Sequence, residues 1–98
     1  MSNFKDIINQ ETPVLVDFFA TWCGPCKMMQ PVLDQLKEDW GNKIRVLKID
    51  VDKNPKAAAQ FGIRGVPTLI LFKKGEMLWR ESGAFPLNSL KNKLERFV

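Results

Sequence analysis

The sequence contains no histidine and no tyrosine. Without an imidazole, histidine-dependent nucleophilic catalysis and a mixed Cys–His zinc site are excluded. Any general acid or base must be a carboxylate, a lysine or a thiol. Cysteine is scarce, with two residues in a chain of 98, too few for the disulfide framework of a small secreted domain. A bridge between them closes a loop too short to act as a scaffold. No apolar run approaches membrane-spanning length, and the opening residues Met1-Ser2-Asn3-Phe4-Lys5-Asp6 lack an apolar signal core. The expectation is a cytoplasmic protein with no membrane partner. The net charge is +4, yet the lysines from Lys5 to Lys93 are scattered rather than clustered, so no nucleic-acid partner is expected.

What is present suffices for a core. Apolar residues make up 45% of the chain, including seven Phe and three Trp, enough for a single domain over 1–98 that folds with its thiols reduced. The pattern reads as a helix over 3–10, with Ser2 or Asn3 as cap. A buried strand over 13–19 follows, because apolar residues run there almost without alternation. The next helix spans Cys23 to Trp40, with Met29, Val32, Leu33, Leu36 and Trp40 as its inner stripe. Pro31 lies inside that stripe and is expected to kink the helix; Gly41-Asn42 ends it. A second strand covers 44–50. Asn54-Pro55 caps and opens a short helix to Phe61. Strands over 67–73 and 77–82 form a hairpin turning through Lys74-Gly75-Glu76, and a helix from Leu87 to Phe97 closes the chain. The first two strands, joined by a long helix, should be parallel with a right-handed crossover. No repeat, linker or low-complexity segment interrupts this order.

Both cysteines fall in one run, Trp22-Cys23-Gly24-Pro25-Cys26-Lys27, immediately after the apolar strand. A strand feeding a helix that opens with C-x-x-C is a dithiol/disulfide site. Spacing i, i+3 puts both sulfurs on one helical face, with Cα atoms inside the roughly 4.4–6.8 Å that a disulfide accepts. The helix N-terminus favours a Cys23 thiolate, which makes Cys23 the nucleophile and Cys26 the resolving thiol. The competing structural readings are an inert bridge or half of a zinc site, and the second lacks further ligands. Pro25 stiffens the first turn where a missing N–H costs nothing, and Gly24 leaves room for a substrate backbone.

Two charges stand out in the flanking strands. Asp17 is the one carboxylate in a strand that otherwise reads as wholly buried, where desolvation raises its pKa. It is a candidate proton acceptor for Cys26, against the plainer reading of a solvent-facing alternate position. Lys48 is the matching lone cation of strand 44–50. It either pairs with Asp17 and modulates it or turns outward from an edge.

The run Trp22-Cys23-Gly24-Pro25-Cys26-Lys27 resembles the active-site motif of the thioredoxin family letter for letter. The resemblance continues at Val14-Leu15-Val16-Asp17-Phe18, Gly62-Ile63-Arg64-Gly65-Val66-Pro67-Thr68, Phe72-Lys73-Lys74-Gly75-Glu76 and Gly83-Ala84, in the family's order and spacing from about Phe4 onward. It implies a thioredoxin-like three-layer α/β sandwich around a mixed sheet. It also implies a general protein disulfide reductase whose partners are disulfide-containing substrates and an NADPH-dependent thioredoxin reductase. No cofactor beyond the Cys23–Cys26 disulfide, and no metal, is implied. The Val66–Pro67 bond should be cis and lie beside Cys23. Val66 would pair with an extended substrate, and Trp22, Gly83 and Ala84 would complete an apolar platform. Three departures from the family are visible: Phe19 where Trp is frequent, Ser82 where an apolar residue is usual, and an N-terminus shorter by one strand. The sheet is therefore expected to hold four strands in the order 44–50, 13–19, 67–73, 77–82. The exposed edge at 44–50 is defended by Lys43 and Arg45, which points to a monomer with weak self-association. A disulfide oxidant or isomerase, and a non-catalytic binding subunit of the same fold, are the alternatives.

Overall fold

The computed structural model describes residues 4–98. The caps expected at Ser2 or Asn3, and the expectation about the N-terminus, fall outside that span. The elements are α1 (Phe4–Ile8), β1 (Val14–Phe19), α2 (Gly24–Trp40), β2 (Arg45–Asp50), α3 (Pro55–Gln60), β3 (Thr68–Lys73), β4 (Glu76–Ser82) and α4 (Leu87–Leu94), with short 3₁₀ turns at Gly41–Lys43 and Glu95–Phe97. The sheet has four strands in the order β2-β1-β3-β4, as the sequence predicts. β1 and β2 run parallel; β1–β3 and β3–β4 are antiparallel.

Residue alternation along β1 decides how the layers form. Leu15 packs on one face with Met29, Leu33 and Leu36 of α2 and Leu90 and Leu94 of α4. Val14, Val16 and Phe18 pack on the other with Phe4 and Ile8 of α1 and with Phe61 after α3. The Phe61 ring centroid lies 5.3 Å from those of both Phe4 and Phe72, the tilted approach that aromatic quadrupoles favour. Both faces are therefore covered by helices, and β1 and β3 are buried almost end to end.

Several local expectations are corrected. Pro31 is exposed on the outer side of α2, away from the stripe of Met29, Leu33 and Leu36 rather than inside it, within a helix that spans Gly24–Trp40. There the lost N–H bond falls on the solvent side. Asn54 precedes α3 but makes no side-chain cap. Its amide donates instead to the Asp50 carbonyl oxygen at 3.0 Å. The hairpin turn is only Lys74-Gly75, since Glu76 already pairs with Lys73. Both turn residues have positive φ, 53° and 82°, which is the primed two-residue turn that matches strand twist. A bulge between Leu71 and Phe72 lets Leu78 stand unpaired. The last helix stops at Leu94 and tightens into 3₁₀.

Candidate active site

The site forms where β1 ends. Phe19-Ala20-Thr21-Trp22 carries the chain from the sheet to α2, and Cys23 is the N-cap of that helix, with extended backbone (φ −90°, ψ 115°). Cys23 and Cys26 form a disulfide with Cα atoms 5.2 Å apart. The N–H of Cys26 donates to Cys23 Sγ at 3.1 Å, the position an N-cap side chain normally fills with oxygen. Negative charge on that sulfur would gain from the same N–H and from the α2 N-terminus. Both sulfurs are nearly covered, with Cys23 5% and Cys26 1% exposed, and they pack with Ala20, Phe19 and Val66. Gly24 and Pro25 are exposed at the start of α2, and no atom lies within 4 Å of where a Gly24 Cβ would stand.

The Val66–Pro67 loop reaches the disulfide, and the turn after β4 reaches that loop. Trp22 is 70% exposed, yet its indole N–H donates to Asp52 Oδ2 at 3.0 Å, which fixes one edge of an otherwise free ring. The Val66–Pro67 bond is cis, Pro67 is buried, and the Val66 carbonyl oxygen lies 3.6 Å from Cys23 Sγ. Gly83 follows β4 with φ +114°, a conformation few side chains tolerate. Its N–H donates to the Pro67 carbonyl at 2.9 Å, so Gly83 and Ala84 border the same loop.

In the middle of β1, Asp17 is fully buried. Among the described residues its Oδ1 has no hydrogen-bond partner, and its Oδ2 accepts from Gln30 Nε2 at 3.5 Å. Burial drives this carboxyl up from its ordinary 3.8 to about 6; Lys48 and the Gln30 amide pull the other way. Lys48 stands level with Asp17 in the parallel register but does not ion-pair with it. Its Nζ pairs with Asp34 Oδ1 at 3.5 Å. Both sequence alternatives for Lys48 are thus partly realised: the edge position turns the ammonium toward solvent and α2, and it acts on Asp17 through space.

Sequence reasoning missed three groups. Gln30 lies one helical turn after Cys26, an i, i+4 relation that was available as a signal. Asp52 carried no signal, because its role arises only when the loop after β2 meets Trp22. Ser82 was seen as a departure, but not its bond. Its hydroxyl lies 2.8 Å from Thr68 Oγ1, which in turn donates to the Gly65 carbonyl at 2.6 Å. Among the described residues, no group of three His, Cys, Asp or Glu side chains is arranged to hold a metal ion, and no helix is long and apolar enough to cross a membrane.

A thioredoxin family model matches residues 1–96. This chain belongs to the thioredoxin family. It is 46% identical over 98 residues to thioredoxin of Porphyra purpurea, covering 99% of this chain and 92% of that protein. Thioredoxin of Synechocystis sp. is 44% identical over 98 residues, with the same coverage of 99% and 92%. The chloroplastic M-type thioredoxin of Pisum sativum is 44% identical over 92 residues, or 94% of this chain and 54% of that protein. Membership and the Cys23–Cys26 disulfide make the protein a protein disulfide reductase, a protein-disulfide oxidoreductase with a redox-active centre. The oxidant, isomerase and binding-subunit alternatives are not favoured.

Proposed function

We propose that residues 1–98 act as one domain that cycles between dithiol and disulfide, with Cys23 attacking and Cys26 resolving. The Cys23 thiolate attacks one sulfur of a substrate disulfide. An S–S bond forms to Cys23 and the other substrate sulfur leaves as a thiolate. Cys26 then gives its proton to Asp17 and attacks Cys23 Sγ. The mixed disulfide breaks, the second substrate sulfur leaves, and the Cys23–Cys26 bond forms. Two electrons pass to the substrate in all. The observation that carries this polarity is Cys23 at the α2 N-cap, its sulfur aligned with the Cys26 N–H. Asp17, with its pKa raised to about 6 by burial, is ionised near neutrality and so able to accept a proton. Lys48 modulates that carboxylate.

The substrate lies in extended form against Val66 and contacts Trp22, Gly24, Pro25, Pro67, Gly83 and Ala84, and the open space around Gly24 and Gly83 leaves room for an incoming chain. A thioredoxin reductase drawing on NADPH recharges the disulfide. The protein works in a reducing compartment, the cytoplasm, as a monomer that self-associates weakly through β2. It needs no other cofactor and takes part in electron transport and redox homeostasis. The test is reduction of insulin disulfides coupled to NADPH and a thioredoxin reductase. The wild-type protein should turn over and Cys23→Ser should not; equal rates from both would remove Cys23 from the cycle.

A further inference from the structure

Gln30 connects buried Asp17 to the cleft beside the disulfide. A cleft of about 320 Å³ opens beside the disulfide, lined by Phe19, Ala20, Thr21, Cys26, Lys27 and Gln30. Asp17 is fully buried and is not part of that lining. Gln30 belongs to both places: it is half-buried, lines the cleft with Cys26, and donates its amide to Asp17 Oδ2. The 3.5 Å separation makes this a long bond, and among the described residues Oδ1 has no partner. An unpaired buried carboxylate oxygen is costly, so the one donor that Asp17 has matters more than its length suggests.

We propose that Gln30 is the positioning residue of the proton-transfer step, its carboxamide holding Asp17 Oδ2 and closing the carboxylate off from the cleft, so that Asp17 exchanges its proton with Cys26 rather than with bulk water. This rests on Asp17 being the acceptor for Cys26. Gln30 takes no proton itself; it donates to the charged form of Asp17 and favours it. The other charged or titratable groups around Asp17 are few. β2 brings Lys48, already paired with Asp34 of α2. α2 brings Cys26 and, on the cleft rim, Lys27. β3 brings Leu69 opposite Asp17. α4 turns Leu90 and Leu94 to this face, while its Lys91 and Lys93 pair with Asp39 and Glu81.

The test reads the acid limb of mixed-disulfide resolution. The reduced protein reacts with an aromatic disulfide, and release of the second aromatic thiol is followed by stopped-flow absorbance from about pH 5 to pH 8. Gln30→Met keeps the length of the side chain and removes the donor, so the limb should move up by about half a pH unit, roughly a threefold change in proton affinity. Gln30→Lys places a cation there and should move the limb down. A packing role would not give opposite signs. In an Asp17→Asn background neither change should matter. If the limb stays in place in both Gln30 variants while Asp17→Asn abolishes it, the positioning role is overturned and Asp17 stands. If Asp17→Asn alone leaves the limb unchanged, the Asp17 assignment fails, and the role of Gln30 with it.

Discussion

Asp17 resists folding whenever it is charged. Its unfolded carboxyl titrates near 3.8 and its folded one near 6, so between those values the folded chain holds more protons. Stability therefore falls as pH rises through that window. Below 3.8 the penalty is absent, and above about 6 it reaches its full size, about 3 kcal/mol. Asp17→Asn should accordingly raise stability by about 2–3 kcal/mol at neutral pH, with the gain shrinking to nothing near pH 4. Urea unfolding at the two pH values checks this, and an equal gain at both would mean that charge burial is not its source. The same variant should slow resolution by Cys26 more than attack by Cys23. Lys48→Met, which removes the through-space cation, should move the Asp17 midpoint above its present value, read by carboxyl NMR titration; a downward move would contradict the assignment.

At the scale of elements, the hairpin turn does more than reverse the chain. The Lys74 N–H donates to the Gln10 carbonyl at 3.0 Å and the Gly75 N–H to the Ile8 carbonyl at 3.1 Å, so the turn satisfies carbonyls that the end of α1 leaves unpaired. Gly75 holds φ +82°, and Gly75→Ala should cost about 1–2 kcal/mol through that backbone angle. A loss in urea midpoint within error of zero would show that the turn relaxes. Elements of this kind were the most legible from sequence. Dense apolar runs at Val14–Phe19, broken only by Asp17, and at Leu69–Phe72 mark strands covered on both faces, and the stripe of Met29, Leu33 and Leu36 marks the inner side of α2. Positions where three-dimensional company decides were less legible. Pro31 reads as part of the inner stripe until its solvent side is known, Asn54 reads as a cap until Asp50 competes for its amide, and the pairing of Lys48 with Asp34 depends on how α2 lies over β2. At the active site the C-x-x-C run and Asp17 were legible because each breaks its local pattern. Gln30, an ordinary polar residue on a helix, was not.

For the whole molecule, the sheet is open at β2. Arg45 N–H donates to the Pro13 carbonyl and Val51 N–H to that of Phe19, both at 2.9 Å, and the regular spacing of a parallel ladder places Leu47 and Ile49 on the same side. The amides of Val46, Lys48 and Asp50 then face outward, unpaired among the described residues. Hydrogen exchange in dilute solution should show Leu47 and Ile49 protected and Val46, Lys48 and Asp50 fast. Uniform deep protection in a proven monomer would mean that something covers this edge. The central claim is the division of labour between the two thiols at the head of α2, and trapping tests it most directly. Reduced Cys26→Ser and Cys23→Ser are each mixed with a disulfide-containing protein, quenched in acid, and analysed by intact mass. The Cys26→Ser protein should accumulate as a mixed disulfide through Cys23, while Cys23→Ser remains free; accumulation through Cys26 in the second variant, with none in the first, would contradict the account.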